Sequence, residues 1–241
     1  MINIEDLTND EVMLLKMAFK SVEEIIEIQR YYHYCSIDLC NVFFNLKEKL
    51  GIGELVWKEC DFMSIWLTSD CHFNHQNIVK FEPISRPYTV EEMNEVIINN
   101  WNSVVKPEDT IYVLGDFFMG QLTGIEPILS RLNGKIILIR GNHDTKNRLE
   151  FYKQKGIEVK DIAYLEYKGM FYILCHFPIA DEEFKKMIIN SSDQVAILYG
   201  HIHSNAPKGW YNRTFHVGVD TNDLTPVNLE TIHKELLNIE N

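Results

Sequence analysis

Short apolar runs that alternate with amphipathic stretches dominate the chain from Met63 onward. Five runs have the length of a β-strand and are bounded by polar or small residues: 65–67, 111–114, 136–139, 171–174 and 195–199. Two more strands are predicted at 162–167 and 214–219, and Lys168-Gly169 predicts a hairpin between 162–167 and 170–175. Amphipathic spacing predicts helices near 90–102, 124–132, 146–155, 181–189 and 228–237. This alternation predicts an α/β domain over residues 63–241, with mixed sheets covered by helices.

The first quarter of the chain has a different pattern. Apolar residues recur at helical spacing from Val12 to Ile26, and a second helix is predicted from about Ser36 to Leu50, before Gly51. Residues 1–62 are therefore interpreted as an acidic helical extension. Its aromatic residues leave two alternatives open: packing against the main domain, or a partner surface such as a homodimer contact through residues 8–50.

The charge of the chain limits the classes of partner. The net charge is −12, and residues 1–62 hold 6 basic against 12 acidic side chains. Such a balance argues against a broad basic surface for long nucleic acids, although bound cations could still attract phosphate. No apolar run reaches the roughly 20 residues of a membrane span, and the N-terminus lacks a signal-peptide pattern. With an odd number of cysteines and no C-x-x-C pair, we expect a cytoplasmic protein with reduced thiols.

Side chains that bind metals follow five of the predicted strands. Because residues i and i+2 of an extended strand face the same side, both residues of each D-x-H or H-x-H pair should reach one metal. The carboxyl ends of adjacent strands also converge on one crevice. The nitrogen and oxygen donors suit Mn²⁺, Fe²⁺, Zn²⁺, Ni²⁺ or Co²⁺. The candidate ligands are Asp70, His72, Asp116, Asn142, His176, His201 and His203.

The candidate ligands predict the chemistry of a dinuclear centre. Two divalent ions can share a bridging carboxylate, for which Asp116 is the natural candidate, and a bridging hydroxide that attacks phosphorus in line with the leaving oxygen. His143 follows a candidate ligand directly and could protonate the leaving group. Asp144 could orient His143 or cap the next helix, and we assign both residues as candidate catalytic residues.

The order of these motifs resembles that of the calcineurin-like metallophosphoesterase superfamily. The pattern D-x-H, G-D, G-N-H-D, a lone histidine and G-H-x-H occurs in full between residues 63 and 241. The resemblance implies a four-layer α-β-β-α sandwich and a leaving-group role for His143. It also implies one metal held by Asp70, His72, Asp116 and His203, another held by Asp116, Asn142, His176 and His201, and Mn²⁺ as the activating ion.

Within that superfamily, the chain is similar to small bacterial and phage phosphoesterases of unknown substrate. The similarity rests on the stretch 68–78, on Arg86-Pro87-Tyr88 and on Glu91-Glu92-Met93-Asn94. Phosphoprotein phosphatases of the superfamily carry G-D-x-x-D-R, but this chain has Phe117 to Gly120 after Asp116. A phosphodiester or nucleotide-type substrate is therefore favoured over a phosphoprotein. The alternatives are a phosphomonoesterase, or a metal-binding regulatory scaffold that uses the N-terminal helices.

Four further residues are candidates for substrate contact, each with a structural alternative. Arg140 could bind phosphate or form a surface ion pair after its strand. His75 and Asn77, in a predicted loop after the first ligands, could contact substrate or cap a helix. Arg86 could bind a second phosphate or pair with an acid.

Overall fold

Two five-stranded sheets form the centre of the part of the chain that the structure describes. The structure, a computed structural model, describes residues 63–179 and 194–240. The first sheet has the order β10-β1-β2-β3-β4 and the second has the order β5-β6-β7-β9-β8. The strands are β1 Ile65–Thr68, β2 Thr110–Val113, β3 Lys135–Ile139, β4 Glu158–Lys160, β5 Ala163–Tyr167, β6 Met170–Leu174, β7 Val195–Tyr199, β8 Trp210–Tyr211, β9 Thr214–His216 and β10 Val227–Asn228.

Both sheets are mixed, with a parallel centre. Strands β1 to β4 are parallel and β10 is antiparallel, whereas β6, β7 and β9 are parallel with β5 and β8 antiparallel at the edges. A bridge between Ser69 and Gly218 joins the two sheets beyond β1 and β9. The parallel strands of each sheet therefore end at the same edge, which is where the ligand motifs of the sequence begin.

Helices cover the first sheet on its outer face. They are α1 Ile78–Phe81, α2 Val90–Val104, α3 Glu126–Leu129 and α4 Lys146–Gln154, with single 3₁₀ turns at Leu122–Gly124, His203–Asn205 and Val219–Thr221. The C-terminal helix, α5 Leu229–Glu240, instead buries Leu229, Ile232 and Leu236 in the core between the two sheets. Helix α2 begins with a capping box, in which Thr89 accepts from the Glu92 amide and the Glu92 carboxylate accepts from the Thr89 amide. Its buried Trp101 packs with Ile111 and Val113 of β2.

Alternation along the central strands separates two apolar cores. Ile111 and Val113 of β2 face the helices, while the neighbouring Leu114 joins the core between the sheets. In β7, Ala196 and Leu198 also enter the inter-sheet core, whereas Ile197 and Tyr199 face the opposite side. This period of two is what a buried strand requires, because successive side chains point to opposite faces of a sheet.

The predicted α/β class with two mixed sheets is confirmed. The hairpin at Lys168-Gly169 is also confirmed, with Tyr167 paired to Met170 and positive φ at both turn residues. The helix predicted at 124–132 is reduced to a 3₁₀ turn and the four residues of α3. The helices predicted at 8–50 and 181–189, and the homodimer contact through 8–50, lie outside the described residues. Of the helices that the structure describes, none is long and apolar enough to cross a membrane.

Candidate metal centre

The ligand segments lie just beyond the strands, in tight turns. Strand β1 ends at Thr68, and both Asp70 and His72 have positive φ, 56° and 48°. His201 and His203 follow β7 in the same way, with φ of 76° and 49°. The prediction that these i, i+2 pairs lie on extended strands is therefore wrong. A left-handed backbone at alternate residues costs on the order of 1–3 kcal/mol each, and such strain persists where the surroundings enforce it.

Backbone hydrogen bonds and glycines enforce these turns. The Asp70 amide donates to the Gly115 carbonyl at 3.0 Å, and the His72 amide donates to the Asp116 carbonyl at 3.0 Å. A Cβ atom on Gly141 would lie 2.2 Å from Oδ1 of Asp116. The turns after β2 and β3 can therefore pack this closely only because residue 141 has no side chain.

Two groups of side chains have metal-ligand geometry. Asp70, His72 and His203 form one group, and Asp70, Asp116 and His176 form the other, with the ligand atoms of each group within 4.8 Å of one another. Oδ2 of Asp116 lies 3.6 Å from Nε2 of His72 and 3.6 Å from Nε2 of His176. One carboxylate oxygen thus lies between imidazoles of both groups, as a bridging ligand would.

The tautomer of His176 agrees with a ligand role. Its Nδ1 lies 2.7 Å from the Leu114 carbonyl, an acceptor, so Nδ1 carries the proton and Nε2 offers a lone pair. This Nε2 lies 2.8 Å from Oδ1 of Asn142, which is a second acceptor. A shared cation would satisfy both atoms. His201 is close by, with its ring centroid 5.1 Å from that of His176.

Burial leaves these groups in need of positive charge. Among the residues that the structure describes, the buried Oδ1 of Asp70 and both buried ring nitrogens of His72 have no hydrogen-bond partner. Burial raises the pKa of Asp70 to about 7, raises the pKa of Asp116, and lowers the pKa of His72 well below its usual value. Neutral imidazoles beside desolvated carboxylates fit divalent cations, which would ligate both.

Comparison with known proteins agrees with this geometry. Residues 63–217 match the calcineurin-like phosphoesterase superfamily domain. The chain belongs to this superfamily. An uncharacterized protein from Methanocaldococcus jannaschii is 35% identical over 181 residues, which are 70% of this chain and 89% of that protein. The Gene 66 protein of Mycobacterium phage L5 is 26% identical over 179 residues, which are 64% of this chain and 86% of the phage protein.

A solved structure has the same fold as this chain. The crystal structure of a protein of unknown function from Aquifex aeolicus is 30% identical, with a TM-score of 0.60. The similarity covers 71% of this chain and 98% of that chain. These relatives confirm the predicted membership and its likeness to small bacterial and phage proteins.

His143 lies at the open side of the centre. Its side chain is 43% exposed, and Nε2 is 3.9 Å from Oδ2 of Asp116. The adjacent Asp144 is buried and neither orients this imidazole nor caps helix α4, whose first turn has no side-chain cap. Its carboxylate instead accepts from the Asp116 and Gly141 amides, both at 2.9 Å. Asp144 therefore joins the turns after β2 and β3, which positions Asp116.

Of the candidate substrate residues, His75 has its ring beside the ring of a candidate ligand. Its ring centroid is 5.1 Å from that of His72 and 6.3 Å from that of His143. Asn77 is exposed at the N-terminus of helix α1 without a side-chain cap bond. Arg140 is 55% exposed and pairs with Asp161 at 3.1 Å, which agrees with the surface ion pair considered for it.

Of the two roles considered for Arg86, binding a second phosphate or pairing with an acid, the structure shows the pairing. Arg86 is fully buried and pairs with Asp220, so it lies behind the ligands and not on the surface that a substrate would contact. Sequence reasoning missed Asp220. The signal available was an acid in the apolar stretch after β9, where a buried carboxylate needs a specific partner.

Proposed function

We propose that this chain is a dinuclear metal-dependent hydrolase of phosphate esters, with a phosphodiester or nucleotide-type substrate favoured. The observation that carries the proposal is the position of the Asp116 carboxylate, 3.6 Å from imidazoles of both ligand groups. When bound there, two divalent ions would supply Lewis acidity for the phosphoryl oxygens and activate water at neutral pH. The N and O donors suit several transition metals, and we propose Mn²⁺ as the activating ion.

The chain's own residues position the reaction. Asp70, His72 and His203 hold one side of the centre, and Asp116, Asn142 and His176 the other, with His201 beside them. His143 combines a solvent-exposed side chain with a backbone held by the proposed bridging residue, since its amide donates to Oδ1 of Asp116 at 2.8 Å. We assign it protonation of the leaving oxygen as that oxygen departs towards solvent.

Two exposed aromatic rings favour a substrate with a planar group. Phe177 is 51% exposed, and its ring lies 4.9 Å from His176 and 4.7 Å from His201. On another side, Phe81 is 68% exposed with its ring 6.4 Å from that of His75. Aromatic faces beside a phosphate site can stack on a nucleobase or an aryl leaving group. This supports an ester with an aromatic substituent and, with the missing G-D-x-x-D-R motif, argues against phosphoproteins.

The test compares bis-p-nitrophenyl phosphate with p-nitrophenyl phosphate, each with Mn²⁺ and with EDTA. We expect Mn²⁺-dependent turnover with a preference for the diester, and at least a 100-fold loss in Asp116→Asn, because an amide cannot serve as a charged bridge. The matched control is Asp109→Asn. Asp109 is also buried, but it accepts from the Trp66 indole and from the Ser64 and Lys106 amides, away from the ligands.

Equal turnover in EDTA, or in Asp116→Asn, would contradict a dinuclear hydrolase. A strong preference for the monoester would replace the diester proposal with a phosphomonoesterase. If two ions bind but neither ester nor a nucleotide panel is hydrolysed, the regulatory scaffold is favoured. We also propose a cytoplasmic location, which cell fractionation with a specific antibody would test.

A further inference from the structure

Arg86 is a fully buried arginine whose guanidinium is almost completely used. Its Nε and Nη2 donate to the two carboxylate oxygens of Asp220 at 2.7 and 2.8 Å, a bidentate pair. Nη2 also donates to the carbonyl of Asp70 at 2.6 Å, and Nη1 donates to the carbonyl of Cys71 at 3.0 Å. One side chain therefore holds the backbone of the D-x-H turn and a buried acid together.

Asp220 connects Arg86 to a ligand in the other sheet. Oδ1 accepts from the hydroxyl of Ser85 at 2.6 Å, and Oδ2 lies 2.7 Å from Nδ1 of His203. Each carboxylate oxygen thus has two partners. As the bidentate partner of the Arg86 guanidinium, with a further hydrogen bond from the Ser85 hydroxyl, this carboxylate is ionised. It can only accept, and Nδ1 of His203 must carry a proton.

That proton determines what the other ring nitrogen can do. With Nδ1–H donated to Asp220, a neutral His203 has its lone pair on Nε2, which lies 4.0 Å from Oδ1 of Asp70. A carboxylate behind a histidine in this way is the arrangement that fixes tautomer and ring orientation at metal sites. A buried ion pair is a weak source of stability, because desolvation offsets its attraction. The arrangement therefore fits positioning better than stabilisation.

We propose that Asp220 and Arg86 are positioning residues of the metal centre. Asp220 fixes the tautomer and orientation of His203, and Arg86 holds Asp220 in register with the Asp70–His72 turn. The relay couples the first ligand segment, which follows β1, to the last one, which follows β7. This inference rests on the proposed dinuclear centre.

The test is Mn²⁺ binding by calorimetry to full-length wild type, Asp220→Asn, Arg86→Lys and the control Asp109→Asn. An amide has one acceptor oxygen, so Asp220→Asn turns an N–H donor either to Arg86 or to His203. Lysine in Arg86→Lys lacks the fork that reaches both oxygens and two carbonyls. We expect two ions per wild-type chain, with binding at one site about 10- to 100-fold weaker in both relay variants and unchanged in the control.

A second readout separates positioning from folding. Nitrogen-15 spectra of the metal-free protein should show His203 protonated at Nδ1 in wild type and shifted away from that tautomer in Asp220→Asn, while Asp109→Asn keeps it. Thermal melts establish whether each variant is folded. If Asp220→Asn does not fold, the same measurements are made on Arg86→Lys. Unchanged affinity and tautomer in the relay variants, with two ions in wild type, would overturn this inference alone. No metal binding by wild type would overturn the proposed function as well.

Discussion

At the scale of single residues, His216 is a buried imidazole that the proposed chemistry does not use. Its Nδ1 is 2.8 Å from the Thr221 hydroxyl, and its Nε2 is buried without a hydrogen-bond partner among the described residues. Burial lowers its pKa to about 4. The folded protein therefore binds fewer protons at this position than the unfolded chain does between pH 4 and 6.5.

This difference predicts that the unfolding free energy depends on pH, and that the substitution His216→Gln removes this part of the dependence. The stabilising effect of a neutral His216 is fully present above about pH 6.5 and is lost as the pH falls towards 4. From pH 7.5 to pH 5, wild type should lose about 2 kcal/mol of unfolding free energy that His216→Gln does not lose. Urea unfolding at both pH values measures this. The other imidazoles titrate in both proteins, so an equal loss in the two would contradict the assignment.

Residue by residue, the sequence could predict the ligands but not what supports them. Asp70, His72 and Asp116 are found by their short spacing after apolar runs, because that spacing is local. Asp220 and Arg86 are 134 positions apart and meet only through the packing of two sheets. For an arginine near the ligand motifs, the sequence allows either substrate binding or an ion pair, and only its burial decides between them.

At the scale of elements, close approach of the turns after β2 and β3 depends on Gly141. In Gly141→Ala the new methyl would lie 2.2 Å from Oδ1 and 2.5 Å from the amide nitrogen of Asp116, so backbone as well as side chain must move. We expect this variant to lose most of its Mn²⁺ affinity and to melt at a lower temperature. Calorimetry and thermal melts measure the two effects.

A second glycine provides the control for this substitution. Gly124 also has an ordinary φ, and a methyl there would approach only the amide of Asn74, at 3.1 Å. Gly124→Ala should therefore keep both its Mn²⁺ affinity and nearly all of its stability. If Gly141→Ala binds Mn²⁺ as tightly as Gly124→Ala does, then the separation of these turns does not control the position of Asp116.

The number of residues in a strand decided whether the sequence could predict it. The central strands β2, β3, β6 and β7 carry apolar runs of four or five residues, and their existence is confirmed. The two- and three-residue strands β4, β8 and β10 were missed, because so few residues carry no readable period. The left-handed turns after β1 and β7 were also missed, because they are held by hydrogen bonds to segments distant in sequence: the Asp70 amide donates to the Gly115 carbonyl, and the His201 amide donates to Oδ2 of Asp70.

At the scale of the whole molecule, the candidate ligands come from both sheets. Asp70, His72, Asp116 and Asn142 follow strands of the first sheet, and His176, His201 and His203 follow strands of the second. Ions bound between them would therefore cross-link the two sheets at their shared edge. The free energy of metal binding would then add to the stability of the whole fold, because an unfolded chain does not assemble these seven groups.

Removal of metal should consequently lower the melting temperature. Free Mn²⁺ at 100 times its dissociation constant would stabilise a folded site by about 2.7 kcal/mol, and EDTA would remove that increment. The increment should rise with Mn²⁺ concentration in wild type and in Asp109→Asn. In Asp116→Asn it should be much smaller, because a neutral amide replaces the charged carboxylate between the two ligand groups. Scanning calorimetry over a Mn²⁺ series measures this, and a melting temperature that EDTA and Mn²⁺ leave unchanged would mean that no ion links the sheets.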